Sequence, residues 1–107
     1  MSNKVVFSDF FNKSAKPLVK KYTSLKSEIV ALSKNLEENS SLGIDLGNGI
    51  RKIRLASKSK GKGKSGGFRV IIFQKVEKVI VLVCIYDKSE VSDISKKDIQ
   101  KIIDNII

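Results

Sequence analysis

Apolar residues recur with two different periods along this chain, and the changes of period divide it into elements. Val5, Val6 and Phe7 are β-branched or aromatic and predict a short strand over residues 4–7. Phe10, Phe11, Ala15, Leu18, Val19 and Tyr22 then recur at helical spacing and predict a first helix. Pro17 lies inside that pattern. It lacks an amide hydrogen and its ring crowds the preceding turn, so a kink or break is expected near Lys16. Thr23 and Ser24 are good N-cap residues, and Leu25, Ile29, Leu32 and Leu36 follow at helical steps until Asn39. A second helix forming a hairpin with the first is predicted.

Residues 39–49 are rich in Ser, Gly, Asn and Asp and are expected to be a connector. Neither side of it holds enough apolar residues to fold alone, so residues 1–107 read as one domain. Alternation follows, with Ile53 and Leu55 on one face of a strand and Lys52 and Arg54 on the other. Phe68 to Lys75 and Val79 to Asp87 predict two further strands joined by a tight turn at Glu77 and Lys78. The second is so uniformly apolar that it is expected to be central and covered on both faces. Ser95 as N-cap, Asp98 as the capping-box acid and Ile94 with Ile99 as a hydrophobic staple open a last helix. Its stripe of Ile99, Ile102, Ile103 and Ile106 must cover the sheet or be covered by a partner. The expected class is α+β: a short N-terminal strand and a helical hairpin on a mostly antiparallel sheet, with a C-terminal helix.

Charge adds a function class. The 107 residues include 21 Lys or Arg against 11 Asp or Glu, a formal net charge of +10. Such an excess draws polyanions: RNA, DNA, a ribosome, an anionic membrane or an acidic protein. The single cysteine, Cys84, cannot form an intramolecular disulfide, and in its apolar run it reads as a small buried hydrophobe. With no histidine, neither a thiol–imidazole pair nor a zinc site of the usual ligands can be assembled, and no metal or other cofactor is expected. No segment approaches the roughly 18 apolar residues of a membrane span, and no secretory signal is evident. A cytoplasmic protein without a membrane partner is expected.

The positive charge is concentrated between residues 51 and 69. There stand Arg51, Lys52, Arg54, Lys58, Lys60, Lys62, Lys64 and Arg69, with no acid, interrupted by Gly61, Gly63, Gly66 and Gly67. A glycine-rich cationic loop between two strands suits a phosphate backbone. The alternative is a solvated loop whose lysines only keep the protein soluble. That alternative is weaker for Lys52, Arg54 and Arg69, because cations sharing one face of a sheet repel each other unless something anionic lies there. Gly61, Gly63 and Gly66 mimic a dinucleotide fingerprint, and Gly63, Lys64 and Ser65 the end of a P-loop. Both motifs require a following helix, and a strand is predicted instead.

The runs Leu46 to Leu55, Gly61 to Ile71 and Ile85 to Glu90 together resemble toxins of the RelE/HigB superfamily from bacterial type II toxin–antitoxin pairs, in the HigB-like branch. The resemblance covers nearly the whole chain and implies a RelE-like fold. It implies a ribosome-dependent endoribonuclease that cuts messenger RNA and so inhibits translation, held in check by a cognate helix-turn-helix antitoxin. By position, Lys52 and Arg54 match strand cations near the scissile phosphate, and Arg69 matches a strand arginine that stabilises its charge. Tyr86, Lys88 and Ser89 fall where relatives bring a further basic or aromatic group, while the tyrosine some relatives carry further on is replaced near Ser95.

The residues themselves suit that chemistry. A ribose 2′-OH can attack the adjacent phosphate in line, so the protein must orient it, accept a proton and offset charge on phosphorus. Crowding by Arg51, Arg54 and Arg69 makes Lys52 a candidate base, and Tyr86 is a candidate proton donor or else a core residue with its hydroxyl at the surface. The expected catalytic set is Lys52, Arg54, Arg69, Tyr86 and Lys88. Arg51, Lys58, Lys60, Lys62 and Lys64 are the expected RNA or ribosome contacts. Two rivals stand beside this reading. One is a ParE-like inhibitor of DNA gyrase on the same fold. The other is a basic RNA- or ribosome-binding module without chemistry, although Phe68 is the one aromatic near the basic run that could stack on a base.

Overall fold

The computed structural model describes residues 3–60, 67–91 and 93–106. The elements run β1 (Lys4–Phe7), α1 (Asp9–Lys21), α2 (Leu25–Glu38), β2 (Ile44–Gly47), β3 (Ile50–Leu55), β4 (Phe68–Val76), β5 (Val79–Asp87) and α3 (Lys96–Ile106). The five strands form one sheet in the order β1-β5-β4-β3-β2. Among the described residues β1 runs parallel to β5 and the other three pairings are antiparallel, as expected of a mostly antiparallel sheet.

The sheet separates two cores. On one face α1 and α2 bury Phe11, Ala15, Leu25, Ile29, Leu32 and Leu36 against Ile53, Phe68, Val70, Ile72, Ile80, Leu82 and Ile85. On the other, α3 lays Ile99 and Ile103 over Ile50, Ile71, Val83, Cys84 and Tyr86. Ile99 and Ile103, with Ile102 in part, therefore cover the sheet, while Ile106 is exposed. Strand β5 is buried from Ile80 to Asp87, which is why it lacks polar alternation.

Local signals place most boundaries. Ser8 caps α1 by accepting the Phe11 amide at 3.0 Å, and Ser95 caps α3 by accepting the Asp98 amide at 3.1 Å. The β4–β5 turn is the expected tight one, with Lys78 at φ 66°. Two expectations are corrected. Helix α1 runs unbroken through Pro17, whose ring sits on the exposed face. The segment 39–49 is more than a connector, because Ile44–Gly47 pairs with β3 through a turn in which Asn48 and Gly49 both have positive φ.

One irregularity redirects the end of β5. The β4–β5 register passes from Ile71 opposite Cys84 to Ile72 opposite Leu82, leaving Val83 as an extra residue. Ile80 and Leu82 face the helical hairpin, whereas Val83 and Cys84 both face α3. The bulge thus turns Tyr86 to the α3 side and Ile85 to the hairpin side.

Candidate nucleic-acid interface

The strand cations meet on the α3 side of the sheet, beyond the apolar patch that α3 covers. Arg54 on β3 is opposite Arg69 on β4, and Arg69 is opposite Tyr86 on β5. The three form one cross-strand row. In the next row Lys52 lies opposite Ile71, and Ile71 opposite Cys84. Two arginines facing each other across neighbouring strands are unfavourable unless an anion shares them. Arg54 is exposed, while Arg69 is 5% exposed and donates from Nη1 to the Phe68 carbonyl at 3.2 Å.

Asp93, in the segment before α3, ties this patch together and was not anticipated. Its Oδ1 accepts the Tyr86 hydroxyl at 2.6 Å, and its Oδ2 lies 3.2 Å from Lys52 Nζ. Its carboxyl is held down at about 2 by the Tyr86 hydrogen bond and by the bond and charge of Lys52, against the opposing effect of burial. Burial, and then the hydrogen bond and charge of Asp93, raise the Tyr86 hydroxyl well above its ordinary range. Tyr86 is therefore a neutral donor aimed at Asp93. Lys52 is not surrounded by cations alone, as its crowded neighbourhood in the sequence suggested, because it has a carboxylate partner.

A second cluster holds Lys60, one of the expected RNA contacts. Lys60 turns inward and donates to both Asp87 oxygens at 2.8 Å and to Ser89 Oγ at 3.0 Å. The Tyr22 hydroxyl donates to Asp87 Oδ2 at 3.1 Å, and Lys60 Nζ lies 5.1 Å from the Tyr22 ring centre and 5.7 Å from that of Phe68. Burial alone would push the Asp87 carboxyl up, but the bonds from Lys60 and Ser89 outweigh it and hold the carboxyl well below the usual carboxylate range. Lys60 is thus held against Asp87 and Ser89 in this structure.

The other expected contacts are spread out. Arg51 falls on the opposite face of β3 from Lys52 and reaches the Ser41 and Gly43 carbonyls at 3.4 Å. Lys58 is exposed, and its backbone amide donates to Glu28 Oε2 at 2.8 Å. Lys88 follows β5, half-buried, with its amide donating to the Gly67 carbonyl at 3.2 Å. Lys62 and Lys64 lie outside the described residues. Cys84 is buried and its thiol is pushed up to about 12 by burial, consistent with a packing role. Among the described residues no cluster of acids and cysteines could hold a metal ion, and no helix is long and apolar enough to cross a membrane.

Asp93 and Asp87 carried weak signals. Asp93 immediately precedes the Ile94–Ser95 capping sequence, and Asp87 ends an otherwise apolar strand, where an acid needs a partner. Neither position reveals which cation it meets.

The chain is thus a small basic three-layer α+β domain with a cationic row on one sheet face. The family model of the RelE toxin of the RelE/RelB toxin–antitoxin system matches residues 3–104, and the chain belongs to that toxin family. The fold agrees: E. coli toxin RelE, solved as a double arginine-to-alanine mutant in the free state, superposes with a TM-score of 0.62 at 14% identity, with 100% of each chain covered. Membership implies an antitoxin as partner.

Proposed function

We propose that this toxin is a ribosome-dependent endoribonuclease of the HigB-like branch that cuts messenger RNA in the cytoplasm, neutralised by a cognate helix-turn-helix antitoxin. The observation that carries the reading is the row Arg54–Arg69 with Lys52 beside it, cations fixed on strands and facing one way. A 2′-OH attacks its neighbouring phosphorus, the bond to the 5′-oxygen breaks, and the products are a 2′,3′-cyclic phosphate and a 5′-hydroxyl. One proton leaves the 2′-oxygen and one reaches the 5′-oxygen, so none is consumed overall. Negative charge grows on the phosphoryl oxygens, which is where preorganised guanidinium groups act most strongly. Arg69 is braced by burial and Arg54 reaches outward from the same row. Lys52, in the next row and paired with Asp93, stands beside the position of the flanking phosphate.

The net charge of +10 supports fast, salt-sensitive capture by an acidic antitoxin segment. The deciding experiment is incubation of purified toxin with programmed ribosomes followed by sequencing of messenger ends. Cleavage with cyclic phosphate termini is expected. Intact messenger alongside failing DNA supercoiling would replace this reading with gyrase inhibition.

A further inference from the structure

Lys52 and Tyr86 stand on strands that are not neighbours, with β4 between them, so their backbones are separated by roughly two strand spacings, about 10 Å. Asp93 closes that gap, its Oδ1 accepting the Tyr86 hydroxyl at 2.6 Å and its two oxygens lying 3.5 and 3.2 Å from Lys52 Nζ. The Ile94 amide also donates to Asp93 Oδ1, at 3.1 Å, which fixes the carboxylate from its own backbone. The bridge depends on the Val83 bulge, since without the extra residue Tyr86 would face the helical hairpin.

We propose that Asp93 is a positioning residue of this toxin: its carboxylate clamps the Lys52 ammonium and the Tyr86 hydroxyl together, so that Lys52 is presented beside the Arg54–Arg69 row. The proposal rests on the endoribonuclease reading. Asp93 is not the base, because a carboxyl held at about 2 accepts a proton too weakly near neutral pH. The aromatic ring of Tyr86 is packed in the α3 core, so the clamp also connects the cation to the rigid part of the fold. A long lysine side chain otherwise samples many rotamers, and catalysis asks for placement within about 0.5 Å.

The geometry and the activity are tested separately. Tyr86 faces Asp93, Cys84 and Arg69, while Asp93 faces Lys52 and Tyr86. Tyrosine ring carbons labelled for NMR report Tyr86 and Tyr22 individually, with Tyr22→Phe giving the assignment. In the full-length wild type Tyr86 ionises well above its ordinary range, and in Asp93→Asn its transition falls, while burial keeps it raised. On programmed ribosomes Asp93→Asn lowers kcat by about tenfold with KM little changed, the effect of a charge-assisted bond discounted for solvent exposure. Asp93→Glu restores part of that loss and keeps the high Tyr86 transition. An unchanged Tyr86 titration overturns the clamp. A shifted titration with unchanged kcat, or a loss entirely in KM, overturns the positioning role. If the wild type leaves messenger intact, the endoribonuclease reading fails, and the titration alone upholds or overturns the clamp.

Discussion

Lys60 Nζ lies 2.8 Å from Asp87 Oδ2, and the two side chains are only 8% and 2% exposed. Removing one member of such a pair leaves a buried charge uncompensated, so Lys60→Met is expected to cost about 3 kcal/mol of stability. Because the folded state holds the Asp87 carboxyl below its unfolded value, the contribution is complete above about pH 4 and is lost as pH falls through the folded value. Urea midpoints at pH 7 and pH 3 check both points. The gap between wild type and Asp87→Asn narrows at pH 3, and an equal gap at the two values would show that the ion pair is not its source.

The arginine row leads to a kinetic prediction. Arg69→Ala removes a braced donor to the developing anion and is expected to slow single-turnover cleavage about a hundred- to a thousandfold. Burial of Arg69 means that truncation also leaves a hole, so a thermal melt accompanies the assay. Arg54 is exposed, and Arg54→Ala lowers the rate without lowering the melting temperature. The double variant loses less than the sum of the two, because both guanidiniums serve one phosphate. Near wild-type cutting by a folded Arg69→Ala protein would remove the row from the site.

Lys58 is exposed, whereas Lys60 is paired with Asp87. Changing Lys58, Lys62 and Lys64 to Gln is expected to leave stability unchanged and to reduce the salt dependence of ribosome binding by roughly 0.7 to 0.9 log units per lost phosphate contact. Lys60→Gln does the reverse, because its ammonium is already used by Asp87. Titration of binding against salt, with a melt for each variant, separates the two groups. A salt slope unmoved by the triple change would return those lysines to the role of solvated surface.

The elements that were legible in the sequence are those whose burial is one-sided or complete. The stripe of α3, the hairpin helices and the unbroken apolar β5 each have a period that burial enforces. Of the kink or break expected near Lys16, the break does not occur, and sequence position does not reveal that the Pro17 ring meets solvent. Strand β2 is hidden by its four-residue length and by the glycines in and around it, although Asn48–Gly49 is a strong hairpin signal. The shared face of Lys52 and Arg54 followed from alternation. The inward turn of Lys60 and the reach of Asp93 did not, because both depend on irregular segments, and the Val83 bulge hides within a run that is apolar on either face.

Gly49 offers a test of the turn that starts β3 and so sets the strand bearing Lys52 and Arg54. Its φ is +79°, and a Cβ there would lie 2.9 Å from the Gln74 carbonyl oxygen. The same glycine accepts the Gln74 amide at 2.9 Å, so the backbone has little freedom to move away. Gly49→Ala therefore combines an unfavourable backbone conformation with a close contact and is expected to cost about 1–3 kcal/mol. Asn48, at φ 56°, already tolerates the left-handed region, and Asn48→Gly stays within about 0.5 kcal/mol of wild type. Urea unfolding at pH 7 reads both, with equal m-values as the sign that the native state has kept its fold. A neutral Gly49→Ala would mean that residues 44–49 do not hold the paired β2–β3 turn.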